Sequence, residues 1–337
     1  MKSRILNILK IAVPLALAAG LMVYLFRQVS FKELAGTFQT ADWTLVAISW
    51  VLGLVSHWSR GYRWKLLLQP LGQDPKTKNA FMAVLAGYFA NFALPRLGEM
   101  IRCTVLKTTD EVPLNAGLGT VVAERVFDVL MLGVFTLFTL VLEFDRINAW
   151  LANLFGTKIS GTFESLKNNY LFLITLVVLM MVIGFLLWYF RKKIMANAFV
   201  QKIQVFIAGL WEGIISIRKL EKKGEFIFHT LLIWALYYST TYIILLALPQ
   251  TASLDWRAGF AVFLAGTFGM AAPVQGGLGA FHLAVINMLL TYSIAEKDGI
   301  SLAFFMHTSQ TVLLLISGGI SMLIYAVLWA RRKKVKA

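Results

Sequence analysis

Glu124, Arg125 and Asp128 interrupt an apolar run, residues 114 to 142, that has the length of a membrane-crossing helix. At 1.5 Å of rise per residue they lie roughly 15 Å into that run, near the middle of a ~30 Å hydrocarbon layer. A charge at that depth costs about 3 kcal/mol or more unless it meets a partner or a wet cavity. Glu124 and Asp128, at i and i+4, share one helix face, and Arg125 reaches Asp128 at i, i+3. All three should therefore point inward, and two roles fit them: contact with a polar substrate, or an ion-pair lock between helices.

Two further groups could do chemistry. Asn91, Arg96, Glu99 and Arg102 surround Pro95 and Gly98, where a broken helix leaves backbone groups needing other partners. Glu99 and Arg102 can pair at i, i+3, which would leave Arg96 to meet a phosphate or carboxylate. The second group, Gln275, Gly276 and Gly277 followed by Gly279, reads as a flexible turn that offers free N–H groups to an anion at the start of the next helix. His282, three residues on, could shuttle a proton or simply bond a carbonyl. His57, His229 and His307 carry no signal beyond ordinary hydrogen bonding. Arg60, Arg63 and Lys65, interleaved with Trp58, Tyr62 and Trp64, read as interfacial anchors. Cys103 is the single cysteine, which excludes an intrachain disulfide and fits a small apolar filler.

The elements that must position these residues are broken hydrophobic segments. GYFANFALPRLGEMIR (87–102) and GTFGMAAPVQGGLGAFH (266–282) are each apolar runs interrupted by proline and glycine, in opposite halves of the chain. Such a pair is the usual sequence pointer to a transporter's binding site. Hydrophobic residues make up 58% of the chain and charged residues only 15%, which excludes a soluble domain of this length. The net charge of +15 comes from basic runs between apolar stretches, which is the positive-inside pattern and not a nucleic-acid footprint.

The expected fold is all-α: a polytopic helical membrane protein of about six full spans plus two re-entrant hairpins, forming one transmembrane domain over 1–337. Spans are expected at about 11–26, 43–60, 114–142, 171–190, 226–248 and 302–330. The stretch 11–26 is read as an uncleaved first helix in preference to a signal peptide. Basic loops place the N-terminus, 60–78, 191–223 and the tail in the cytoplasm, so 80–107 must enter and leave inside and 258–292 outside. This makes 43–142 and 226–330 an inverted repeat, joined by a basic linker, 191–225, whose 199–217 stretch has the pattern of an amphipathic surface helix.

GYRWKLLL, NFALPRLGEMIR, AERVFD and APVQGGLGAFH, in this order, resemble the motifs of the lysylphosphatidylglycerol synthase transmembrane-region family, a flippase-like membrane family. The chain is similar to the N-terminal membrane half of bifunctional enzymes that make and flip lysyl-phosphatidylglycerol. The resemblance implies movement of a lipid or lipid-linked molecule across the bacterial cytoplasmic membrane. Relatives often carry an acidic residue just after the GGLG turn, where this chain has His282. The soluble aminoacyl-transferase domain has no counterpart, so a synthase activity is not expected.

The leading expectation is therefore a flippase for an amphiphile with an anionic head group, and the alternative is a membrane transferase acting on a lipid or polyprenyl-phosphate head group. No H-E-x-x-H, G-x-S-x-G, P-loop or paired-aspartate motif supports the transferase; Glu143-x-Asp145 comes nearest. A soluble sugar or ion permease is a weaker third. Membrane lipids are the expected partners, with no nucleic acid, no cofactor and no metal, and the pattern is compatible with a homo-oligomer.

Overall fold

The computed structural model describes residues 16–93, 97–155, 220–272 and 274–336. The expectations for Pro95, Arg96 and Pro273, for the span at 171–190 and for the amphipathic stretch at 199–217 lie outside the described residues.

Among the described residues the chain forms helices and no strands. In order these are α1 (Ala16–Phe26), α2 (Phe31–Thr40), α3 (Trp43–Leu68), α4 (Thr77–Ala93), α5 (Leu97–Asp110), α6 (Leu114–Leu142), α7 (Phe144–Phe155), α8 (Lys223–Leu246), α9 (Trp256–Ala271), α10 (Ala280–Leu290) and α11 (Glu296–Lys336). Single 3-10 turns follow α3 at Gln69–Leu71 and precede α10 at Gln275–Gly277. Starts are set by short polar residues. Asp42 accepts from the N–H groups of Thr44 and Leu45 at α3, Asp255 from that of Ala258 at α9, and Ser30 forms a capping box with Glu33 at α2.

Three helices, α6, α8 and the Glu296–Ala330 part of α11, are long and apolar enough to cross a membrane. The α2 and α3 helices reach that standard only together, across an 83° bend. On α6 the buried residues Gly117, Thr120, Val121, Glu124 and Phe127 recur at helical spacing, while Val122, Val129, Val134 and Val141 are exposed. That is one stripe inward and a broad apolar surface outward, the distribution expected of a helix facing lipid.

Helices α3 and α8 pack along one another. From α3 the chain folds into a hairpin, α4 against α5, which leads into α6; from α8 it folds into a second hairpin, α9 against α10, which leads into α11. In addition, α11 lies on α4, and α6 lies on α9. The hairpins close tightly because glycine removes the side chains between their arms. A Cβ on Gly98 would sit 2.1 Å from the Gly87 carbonyl oxygen, and one on Gly269 would sit 2.6 Å from the Cα of Phe281. Cys103 is buried against Gly117, a packing role as expected from its type.

Asn91 finishes the first hairpin by accepting, through Oδ1, the N–H of Gly98 at 2.8 Å in the first turn of α5. This is a capping bond supplied from the preceding helix. Asn91→Ala is expected to cost about 1 kcal/mol of stability, measurable as a lowered unfolding temperature in detergent. An unchanged unfolding temperature would show that the bond contributes nothing.

Candidate functional site

The charges of α3, α5 and α6 converge on one buried cluster. Arg60 and Arg63, at i and i+3 on α3, meet Glu124 and Asp128, at i and i+4 on α6, so two pairs of matching reach face each other across the helix interface. Arg60 bonds Glu124 through Nε at 2.6 Å and Asp128 through Nη2 at 2.6 Å. Arg63 Nη2 lies 2.7 Å from Asp128 Oδ1 and 3.3 Å from Glu124 Oε1. From α5, Arg102 Nη2 donates to Glu124 Oε2 at 2.6 Å, and its guanidinium lies 4.4 Å from the centre of the Trp64 ring. Trp64 is held by a bond from its indole N–H to Thr120 on α6, at 2.9 Å. The Glu124 and Arg63 side chains are fully buried and Asp128, the most exposed of the five, reaches only 15%.

Three guanidinium groups face two carboxylates, so the cluster carries one excess positive charge. It also has more donors than acceptors. The Arg63 Nε and Nη1 and the Arg102 Nε are buried without a hydrogen-bond partner among the described residues. A group so deeply buried is stable only while its charges stay paired, since removing one partner strands the others away from water.

Two cavities lie nearby, neither lined by a residue of the cluster itself. The first, of about 270 Å³, lies between α3, α8, α9 and α11. Its walls include His57, Tyr88 and Tyr237, and the Tyr237 hydroxyl accepts from Arg60 Nη1 at 3.1 Å. The second, of about 310 Å³, lies at the hairpin tips and is lined by Asn91, Arg125, Gly276, Gly277 and His307 among others. Tyr88, Met270, Gln310 and Leu314 border both. The tips also touch, Gln275 Nε2 donating to the Phe92 carbonyl at 2.6 Å, and His307 Nε2 on α11 lies 2.8 Å from the Gly276 carbonyl oxygen of the second tip. Gly276, Gly277 and Gly279 all have positive φ, between 59° and 80°, which ordinary side chains rarely adopt and which lets the turn double back there.

Several sequence expectations change. Glu124 and Asp128 point inward as expected, but Arg125 does not join them; its side chain is 54% exposed and pairs with Glu99 at 3.3 Å. One step along a helix turns a side chain by about 100°, which carries Arg125 off the buried face. Arg102 likewise pairs with Glu124 and not with Glu99. Arg60, Arg63 and Trp64 are no interfacial anchors, being 6%, 0% and 0% exposed. The signal that could have found them is the i, i+3 arginine pair in RGYRW, which matches the acidic pair in AERVFD. His282 is buried away from both cavities, its ring 4.4 Å from that of Phe304 and 4.9 Å from that of His307. His57 and His307, read as featureless, are the histidines that line cavities. Among the described residues no group of histidine, cysteine and carboxylate side chains is arranged to hold a metal.

With this geometry in view, comparison with known proteins places the chain. The lysylphosphatidylglycerol synthase TM region matches residues 11–318, nearly the whole sequence. The chain belongs to this family. It is a multi-pass membrane protein, and every residue of the cluster falls within the matched region. Two curated relatives share parts of it. UPF0104 membrane protein MJ1595 of Methanocaldococcus jannaschii is 34% identical over 98 residues, 28% of this chain and 29% of that protein. Glycosyltransferase AglD of Haloferax volcanii is 32% identical over 100 residues, 29% of this chain and 16% of that protein. The matches thus span less than a third of either relative. No solved structure matches.

Proposed function

We propose that this member of the lysylphosphatidylglycerol synthase transmembrane-region family is a flippase or transporter that carries a phospholipid or lipid-linked amphiphile with an anionic head group across the bacterial cytoplasmic membrane. The observation that carries the reading is the buried cluster with one surplus positive charge and guanidinium N–H groups without partners among the described residues, linked through the Arg60–Tyr237 bond to the wall of the cavity between α3, α8, α9 and α11. An anionic head entering from lipid would meet that field, while its tail stays in the hydrocarbon.

The proposed architecture is an inverted repeat, α3 to α6 against α8 to α11, with both hairpins re-entrant and both termini cytoplasmic. Two features support it. The order of packed neighbours is the same in each half, and the cross-contacts α4 to α11 and α9 to α6 correspond. The hairpin arms are also short: α5 has 14 residues and α10 has 11, so at 1.5 Å per residue they reach roughly 21 Å and 16 Å, less than a ~30 Å hydrocarbon layer. Rocking one half against the other would expose the midplane site to each side in turn.

The test is transbilayer movement of labelled lipids in proteoliposomes of the purified chain. Movement that depends on head group supports a flippase. If no lipid moves while the protein stays folded, the transferase reading takes its place, and modification of a lipid or polyprenyl-phosphate head group becomes the assay. That reading draws on the relative described as a glycosyltransferase.

Arg125 supplies a second prediction. It lines the tip cavity, and its ion pair with Glu99 is largely exposed, so Arg125→Ala should change stability by no more than about 1 kcal/mol. Transport of an anionic head should nevertheless slow severalfold, because the cavity loses its one lining cation among the described residues. Unchanged transport by this variant would remove Arg125 from the substrate path.

A further inference from the structure

The wall of the first cavity carries polar information that the flippase reading does not use. Ser49, Ser56, Thr240, Thr241 and Thr267 all line it, and each hydroxyl donates its proton to a backbone carbonyl. Ser49 reaches across to Thr240 on the neighbouring helix at 3.2 Å, and the others bond within their own helices at 2.7 to 3.2 Å. A hydroxyl has one donor and two lone pairs, so what these side chains have left is acceptor capacity. A ligand that satisfies them must bring donors.

Two kinds of head group are rich in donors: polyols and ammonium groups. Charge separates them. Among the described residues, no aspartate, glutamate, lysine or arginine lines this cavity. The nearest charges on its Tyr237 side belong to the arginine-rich cluster, reached through the Arg60 to Tyr237 bond of 3.1 Å, and their sum is one positive charge. In a low-dielectric interior an ammonium so placed, with no carboxylate to meet, is repelled, whereas a hydroxyl is not. Trp50 and Tyr88 add aromatic surface to the same wall, with the Trp50 indole N–H fixed to Ser309 Oγ at 2.8 Å. Flat apolar faces beside hydroxyl acceptors suit a compact polyol with C–H and O–H surfaces.

We infer that the first cavity binds a neutral, hydroxyl-rich head group, a glycerol or sugar carried on a lipid phosphate, and discriminates against heads that end in an amine. This rests on the lipid-transport reading for the tail that brings the head into the membrane. It runs against lysyl-phosphatidylglycerol itself as the preferred substrate, since that head is cationic.

Binding and transport can be read separately. The purified full-length chain in detergent is titrated with phosphatidylglycerol, phosphatidylethanolamine and lysyl-phosphatidylglycerol of identical short acyl chains, and bound lipid is counted by native mass spectrometry. Phosphatidylglycerol should bind on the order of tenfold more tightly than either amine-bearing lipid. Gln310→Glu, a near-isosteric change that puts a carboxylate on the wall shared by both cavities, should narrow or reverse that preference. Equal or tighter binding of the amine-bearing lipids by the unmodified chain, or no binding of phosphatidylglycerol, would overturn the inference. Free glycerol that displaces phosphatidylglycerol at comparable concentration would overturn its lipid-borne part. Parallel flux measurements separate the two ideas: selective binding without lipid movement upholds the inference and sinks the flippase reading, while head-group-dependent movement with binding that does not favour phosphatidylglycerol does the reverse.

Discussion

Glu124→Ala should unfold or severely destabilise the protein, by about 3–5 kcal/mol, and abolish transport with it. Among the described residues Glu124 alone bonds all three arginines, and its side chain has no exposure. Without it the cluster goes from one surplus positive charge to two, with Asp128 as the sole remaining carboxylate. Arg102 would lose its only ion pair among the described residues, leaving α5 tied to α6 only by the exposed Glu99–Arg125 pair among the ion pairs of the described residues. Glu124→Gln should be nearly as damaging, because it keeps the volume but not the charge. Arg125→Ala, one residue on, should be tolerated structurally, so the two neighbours form an internal control. Thermal unfolding in detergent reads both. An unfolding temperature for Glu124→Ala within a few degrees of the unmodified chain would show that the arginines find other partners or water, and the cluster would lose its place as the centre of the fold.

The second large effect is expected at the first hairpin. Gly98→Ala would place a Cβ 2.1 Å from the Gly87 carbonyl oxygen and 2.7 Å from Asn91 Oδ1. The first is backbone, with no rotamer to change, so α4 and α5 must separate. Overpacking of this kind costs about 1–3 kcal/mol, and here the same shift also breaks the Asn91 cap on the Gly98 N–H. Displacing α5 would move Arg102 relative to Glu124, so transport should fall along with stability. Gly119→Ala on α6 is the matched control, since nothing lies within 4 Å of a Cβ there and alanine favours the helix by about 0.5–1 kcal/mol. The two substitutions should therefore shift the unfolding temperature in opposite directions. A downward shift for both would mean that glycine at these sites serves the helices and not the hairpin contact.

Much of this organisation is written in local pattern. The apolar run at 114–142 is the helix Leu114–Leu142, and the breaks near Pro95 and at the glycine turn of 275–279 fall between helices. These are consequences of backbone chemistry within a few residues: hydropathy, the missing N–H of proline, and the positive φ that glycine accepts. Inward-facing carboxylates at 124 and 128 follow from spacing and from the cost of a charge in lipid.

Partner choice is different in kind. Arg60 and Arg63 lie beside aromatic residues at the end of an apolar stretch, a context that by itself fits a snorkelling anchor, and only the packing of α3 on α6 turns them into buried counter-ions 2.6 to 3.3 Å from Glu124 and Asp128. Arg125 and Arg102 trade their expected partners for the same reason. An i, i+3 pairing competes with any charge that tertiary packing brings closer, and burial strengthens the winner.

The sequence by itself determined that this chain is a helical membrane protein, where its helices break, and which carboxylates must be buried, because those properties depend on neighbours along the chain. Which cations meet those carboxylates, that the hairpin tips touch at Gln275 and Phe92, and that hydroxyl-lined walls enclose a cavity beside the cluster were decided only by the tertiary structure. These contacts join residues from 22 to 191 positions apart, and no local signal encodes a contact whose two halves are set by different helices.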